Sequence, residues 1–294
     1  MSTILIAGGS GLVGSELTKF LTNAGYEVHI LSRRPTEIAS NIFHWDLDEQ
    51  YIDPLAFDGV TAIINLAGSS IIGGRWTKSK KKDLIDSRVL STQLLVNAAN
   101  QKSSTITHFI QASAMGYFGD SGETILTEDS PASNDFMAKL CVDWETEAQK
   151  LTHITPSILR IGLYLSKAGG VYKTIAQLAK FYLASAIGSG KQYVNYTQKN
   201  EFNQLVLELL NDGMPAGIYN AVGAKPCTLG ELTKAIAINE KRKVILPNVP
   251  AFLLKLVLGE ASAALINSYR ITSPKLAKSR IHQYSDVNEA IADL

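Results

Sequence analysis

The segment that most constrains this chain is its beginning. The apolar run Ile4-Leu5-Ile6-Ala7 leads straight into Gly8-Gly9-Ser10-Gly11-Leu12-Val13-Gly14, and a helical pattern follows at about Leu12–Ala24. Glycines in this order between a strand and a helix suit a pyrophosphate. Gly8 permits the tight turn, Gly11 lets the backbone approach a phosphate, and Gly14 lets the helix pack closely on the strand. The helix start then offers free N–H groups and the positive end of its dipole, with Leu12 and Val13 in the same first turn. Such a unit needs a second parallel strand, and Glu27–Ser32 supplies one.

The alternation continues. Strands are expected at Ala62–Leu66, His108–Gln111 and Ser157–Leu163, and helices at Thr77–Asn100 and Phe136–Leu151. Several of the strands are continuously apolar, as parallel strands covered on both faces must be. The expected fold is therefore α/β, a Rossmann-type doubly wound parallel sheet with right-handed crossovers. Beyond Ser166 the alternation decays. Gly169-Gly170, Gly188-Ser189-Gly190, Pro215-Ala216-Gly217 and Pro226 punctuate shorter elements, with helices expected at 199–212, at 229–239 and after Pro250. The domains read as a dinucleotide-binding unit over 1–166, its elements continuing to about 222. A smaller, mostly helical lobe over 167–294 is interleaved with it.

Composition narrows the partners. With 28 basic and 27 acidic side chains the net charge is +1, so no overall field favours nucleic acid or an anionic membrane. The basic run Lys78–Lys82 has no aromatic platform beside it and reads as a solvated helix face. The two cysteines, Cys141 and Cys227, lie in unrelated contexts, which argues against a metal site or a disulfide. No metal is expected. The most apolar stretch, Val249–Ile266, is broken by Lys255, Gly259 and Glu260, too interrupted for a membrane span. With no leader in view at the first strand, the expectation is a cytoplasmic protein, monomer or homodimer, acting on a small molecule.

The end of the second strand distinguishes the two nicotinamide cofactors. NAD sites place Asp or Glu there, whereas arginine accommodates a 2′-phosphate. Ser32-Arg33-Arg34-Pro35 brings one hydroxyl and two guanidiniums, each guanidinium suited to charge-assisted bonds to phosphate. The expected cofactor is NADP(H). Asn65-Leu66-Ala67-Gly68 ends the Ala62 strand at its carboxyl edge, where ligands sit in open α/β sheets. Asp46-Leu47 after Trp45 either flanks the adenine or makes an ordinary turn.

These residues, with Gly73-Gly74-Arg75-Trp76, Asp86-Ser87-Arg88, Ser113–Asp120, Leu126–Asp129, Trp144-Glu145 and Leu159–Gly162, carry a family likeness. The chain resembles the extended, atypical short-chain dehydrogenase/reductases, within their epimerase-like branch. The segment from about 244 to 294, with Pro247–Phe252 and Leu258-Gly259-Glu260, resembles the small C-terminal domain of that branch. The resemblance implies an NADP(H)-binding Rossmann domain with a substrate-side lobe. It implies that Ser32 and Arg33 meet the 2′-phosphate and that Leu66 and Ala67 meet the ribose region. Asp83 and Arg88 would be further cofactor contacts, and Gly162-Leu163 would lie near the nicotinamide.

The resemblance also implies a Tyr-x-x-x-Lys pair on one helix, its tyrosine acting as acid and base. None of the 11 tyrosines has a lysine four positions later. Lys139 falls where the family's lysine would, and its partner position holds Asp135, which cannot replace a phenol near neutral pH without a large upward pKa shift. Ser113, Tyr117 and Lys139 remain as catalytic candidates, Tyr117 serving either as acid or as an aromatic wall. Where relatives carry Trp-Ile-His-Ile-Asp-Asp-Leu, this chain reads Tyr196-Thr197-Gln198-Lys199-Asn200-Glu201-Phe202. Two functions stay open: an NADP(H)-dependent oxidoreductase or epimerase, and an NADP(H)-sensing binding protein.

Overall fold

The structure, a computed structural model, describes residues 2–34, 40–102 and 104–294. Pro35, the last residue of the arginine segment, lies outside the described residues.

Eight strands form one sheet. In chain order they are β1 (Thr3–Ala7), β2 (Glu27–Ser32), β3 (Ile42–Asp46), β4 (Tyr51–Ile52), β5 (Val60–Asn65), β6 (His108–Ala114), β7 (Ser157–Ile161) and β8 (Ile218–Ala221). Across the sheet they run β8-β7-β6-β5-β1-β2-β3-β4, all pairs parallel except β3 with β4. The chain builds outward from β1 in one direction and then returns to β1's other side through β5. Strand order therefore reverses between β1 and β5, and the crevice at the carboxyl ends of those strands is where ligands bind in sheets of this kind.

Both faces are covered, which explains the unbroken apolar runs. Ile4 and Ile6 of β1 pack with Leu17 and Leu21 of helix α1 (Leu12–Asn23) and with Phe202 and Leu205 of α5 (Lys199–Leu210). Leu5 and Ala7 point the other way, against Leu94 and Leu95 of α2 (Lys78–Gln101). Successive side chains on a strand alternate faces, so a strand buried on both sides must be apolar at every position. Helix α2 begins at its expected point because the Thr77 side chain accepts from Lys80 N at 3.2 Å, a standard N-cap.

Further helices are α3 (Phe136–Ala148), α4 (Gly170–Lys180), α6 (Leu229–Asn239) and α7 (Ala251–Leu258), followed by three short ones at Ala263–Ile266, Pro274–Ala277 and Val287–Ala292. One expectation is corrected by the strand pairing. The strand read as Ser157–Leu163 breaks after Ile161, and a separate strand Leu163–Leu165 pairs with Tyr196–Gln198 instead. The cause is Gly162, where a Cβ would stand 2.5 Å from the Asn195 carbonyl oxygen, so a second strand crosses against the backbone. Strand β3 was not foreseen, because Ile42-Phe43-His44-Trp45-Asp46 carries His and Asp in a mostly half-buried strand one place in from the sheet edge. The lobe is mostly helical, and it adds three two-stranded pairings of its own or with the first unit. Among the described residues no helix is long and apolar enough to cross a membrane.

Candidate functional site

The site is made by strand ends meeting. Asn65, last in β5, is fully buried. Its side-chain amide donates to Thr92 Oγ1 at 2.9 Å and Gln111 Oε1 at 3.1 Å. Its Oδ1 accepts from Ala67 N at 3.1 Å. One side chain thus ties α2, β6 and the exit of β5 together, and it sets Leu66-Ala67-Gly68 across the strand ends.

Gly8 faces that exit. It has φ +80°, and a Cβ there would come within 2.7 Å of the Leu66 carbonyl carbon and oxygen. Gly14 is tighter still, since its Cβ would stand 2.2 Å from Gly8 O. Gly11 begins α1 with no side-chain cap, so the amides of the first turn have no side-chain partner there and remain available to an anion.

The result is a groove of about 690 Å³. Gly8, Ser10 and Gly11 line it at the helix start, Ser32, Arg33 and Arg34 at the end of β2, and Leu66, Ala67 and Gly68 along β5. Leu31, Trp45, Leu47, Ser69 and Ser87 complete the wall. Arg33 and Arg34 are exposed, and Arg34 N donates to Ser32 Oγ at 3.1 Å, which holds the hydroxyl at the turn. These features fit a dinucleotide: a glycine cradle where a Cβ on Gly8 or Gly14 would collide with backbone, uncapped amides, and two cations at the far end.

The other expected contacts are placed differently. Leu12 packs against Gly169 and Gly170, where added Cβ atoms would meet its methyls at 3.0 Å. Val13 packs on the core cluster beneath the sheet. Arg88 lies under the groove: its Nη1 donates to Leu84 O and its Nη2 to Ser69 O, both at 3.1 Å, and its guanidinium stacks 5.1 Å from the Trp144 ring. It props the wall that Ser69 and Ser87 line. Asp83 stands at the surface of α2, its carboxyl held below the usual range by Lys80 and then by Ser69, with Arg33 adding a smaller pull. Gly162 N donates to Thr197 Oγ1 at 2.8 Å and Leu163 N to Asn195 O at 2.7 Å. Both of these amides are held by the crossing strand. Asp46 makes a turn, its Oδ1 accepting from Asp48 N and Glu49 N, which lowers its pKa.

Of the catalytic candidates, Ser113 and Tyr117 come together and Lys139 stands apart. Ser113 is buried and its Oγ donates to Glu145 Oε1 at 2.6 Å. Glu145 also receives Arg160 Nε and Nη2, each at 2.9 Å. The Arg160 guanidinium lies 3.5 Å from the centroid of the Tyr117 ring, and its Nη1 donates to Glu128 O at 3.2 Å. Lys139 is exposed on α3. Asp135 sits just before α3 as its N-cap, Oδ1 accepting from Ala138 N at 2.9 Å. That position is occupied by helix capping.

The pair Glu145–Arg160 is the feature that motif reading passed over. The signal was present: an arginine inside the strand Ser157–Ile161, and a glutamate beside Trp144 on the buried face of α3. Charges in such positions are almost always paired. The Gln198–Glu201 departure also has a structural explanation. Gln198 is buried and caps α5 through Asn200 N and Glu201 N. Glu201 Oε1 accepts from Gln283 N at 2.8 Å and Tyr284 N at 3.2 Å, which joins α5 to the C-terminal segment. Cys141, beside Ser113, is buried, and burial pushes its thiol up to about 12. Among the described residues no group of three His, Cys, Asp or Glu side chains gathers as a metal site would require.

Residues 4–220 match the profile of the NAD dependent epimerase/dehydratase family. The chain belongs to that family. Among curated relatives, Epimerase family protein Mb2239 of Mycobacterium bovis is 34% identical over 254 residues, 84% of this chain and 83% of that protein. Epimerase family protein YfhF of Bacillus subtilis is 32% identical over 300 residues, covering 99% and 97% of the two chains. Among solved structures, the human epimerase family protein SDR39U1 (isoform 2), crystallised with NADPH, aligns with TM-score 0.88 at 25% identity, over 99% of this chain and 98% of that one. The resemblance to the epimerase-like branch therefore holds along the whole chain, and the Rossmann-type sheet is the family's fold.

Proposed function

We propose that this chain is an NADP(H)-dependent oxidoreductase or epimerase acting on a small hydroxyl- or carbonyl-bearing molecule. The observation that carries the reading is the cationic end of the groove, where Ser32, Arg33 and Arg34 stand at the tip of β2 with no carboxylate among the described lining residues. A carboxylate there would bind a ribose hydroxyl and repel a phosphate; arginines do the reverse. The human relative's NADPH supports the same choice. In this reading the glycine cradle and the first turn of α1 hold the pyrophosphate, the arginines hold the 2′-phosphate, and the bound nicotinamide supplies hydride transfer. Tyr117, partly exposed beside the Ser113–Glu145–Arg160 cluster, is the phenol offered as acid.

A second reading, an NADP(H)-sensing protein with little turnover, is favoured by Asp135. The position that would carry the family's phenol holds a carboxylate engaged by helix capping. The test is to titrate NADPH and NADH, then follow absorbance of the reduced nicotinamide against sugars, ketones and quinones. Arg33→Ala is expected to weaken NADPH by roughly tenfold and leave NADH unchanged. Equal affinity for the two cofactors would overturn the cofactor assignment. NADPH oxidation abolished by Tyr117→Phe supports the enzyme; tight binding with no oxidation across the panel supports the sensor.

A further inference from the structure

Helix α7 does not behave like a helix of a packed lobe. Its sequence is Ala-Phe-Leu-Leu-Lys-Leu-Val-Leu, and none of its eight residues is buried. Phe252 is 66% exposed, Leu256 69% and Val257 66%. Helices this apolar ordinarily bury at least a stripe. The helix is nonetheless held firmly in place. Arg75 Nε donates to Val257 O at 2.9 Å and its Nη2 to Leu256 O, and Lys81 pairs with Glu260 at 2.6 Å.

Exposed apolar side chains also stand in the segments next to α7. Val249 N donates to Ala186 O at 2.9 Å, Gly188 N to Val249 O at 2.8 Å, and Ser185 Oγ to Pro247 O at 2.6 Å. Residues 244–250 are therefore laid beside the chain that follows α4. Phe181 (76% exposed), Leu183 (53%) and Ile245 (64%) belong to those two segments. Exposed apolar side chains concentrated in neighbouring segments mark an interaction site.

Charge identifies the occupant. Residues 241–258 contain Lys241, Arg242, Lys243 and Lys255 and no acidic residue, in a chain whose net charge is +1. The Arg242 guanidinium lies 5.6 Å from the Tyr182 ring centroid, so the cationic edge adjoins the apolar one. The flanking acids are engaged: Glu240 accepts from Tyr172 OH at 2.8 Å and Glu260 pairs with Lys81. A second copy docked on this face would bring four cations against four. We propose that this face docks on an anionic phospholipid bilayer, with the apolar side chains of α7 entering the headgroup boundary and the cations meeting the lipid charges. Eight residues extend about 12 Å, far short of a bilayer, so α7 lies in the plane of the interface.

The experiment is co-sedimentation of the full chain with phosphatidylcholine vesicles containing about one-third phosphatidylserine, and with pure phosphatidylcholine vesicles. Binding is expected on the anionic vesicles only and should weaken sharply at ~0.5 M salt. Each cation near such a surface strengthens binding roughly fivefold, so replacing Lys241, Arg242 and Lys243 together by Ala should weaken it about a hundredfold. Phe252→Asp with Leu256→Asp should abolish it. Ile125→Asp, at an exposed apolar residue outside this face, should leave it intact. All variants are expected to keep NADPH affinity and melting temperature, which separates lost docking from lost folding. Failure of the unaltered chain to bind anionic vesicles overturns the proposal, as does equal binding by the Phe252/Leu256 variant. Concentration-dependent dimerisation that this variant dissociates would assign the face to a second copy instead.

Discussion

Replacing Glu145 by Leu tests whether the buried pair beneath the site is a structural clamp. The glutamate and Arg160 side chains are 6% and 2% exposed and joined by two bonds of 2.9 Å. Removing the carboxylate strands a guanidinium in the sheet and leaves Ser113 Oγ without its acceptor. Breaking one side of a buried pair costs about 3–5 kcal/mol. A chain of this length unfolding as one unit loses about 0.6 kcal/mol of stability per degree near its midpoint, so Glu145→Leu should lower Tm by about 5–8 °C. The double variant Glu145→Leu with Arg160→Met removes both charges and should recover most of that loss, because the desolvation penalty disappears with them. Thermal unfolding followed by circular dichroism, without cofactor and at one protein concentration, reads all three proteins. A single variant melting within about 2 °C of the parent would refute the clamp. So would a double variant that melts as low as the single one, since stability would then come from shape rather than charge pairing.

Two further outcomes follow from local geometry. Gly14→Ala puts a Cβ 2.2 Å from Gly8 O, whereas Gly11→Ala puts one 3.2 Å from the same atom; the first should destabilise by about 1–3 kcal/mol and lose NADPH binding, with the second clearly milder, and equal melting points for the two would refute the packing role of Gly14. Burial pushes the thiols of Cys141 and Cys227 up to about 12. Because the folded state retains protons that an unfolded thiol loses near 9, these groups leave stability unchanged at neutral pH and reduce it as pH rises above that value. Neither should react with a disulfide reagent in the native protein at pH 8, and both should react after denaturation; a rapidly titrating thiol in the folded state would refute the burial.

What the sequence determined by itself was whatever depends on neighbours along the chain. The strand–glycine–helix opening, the capped start of α2 at Thr77 and the cations after β2 are local, and each stands where its spacing required. The family likeness, spread over many short segments, was legible for the same reason. Tertiary structure decided what depends on which residues meet across the fold. Arg88 and Ser87 are neighbours in sequence, yet Ser87 lines the groove while Arg88 braces it from below, because successive helical positions point about 100° apart. Ser113 and Glu145 are far apart in sequence, and only the packing of α3 on β6 joins them. Gly162 ends a strand because another strand crosses it. The apolar run after Pro250 was legible as a helix but not as an exposed one: composition records how apolar a residue is, and only the packed chain decides whether anything covers it. A net charge of +1 likewise averages over the chain, whereas Lys241, Arg242, Lys243 and Lys255 stand in one stretch without an acidic residue, and only the fold leaves the apolar side chains of that stretch exposed.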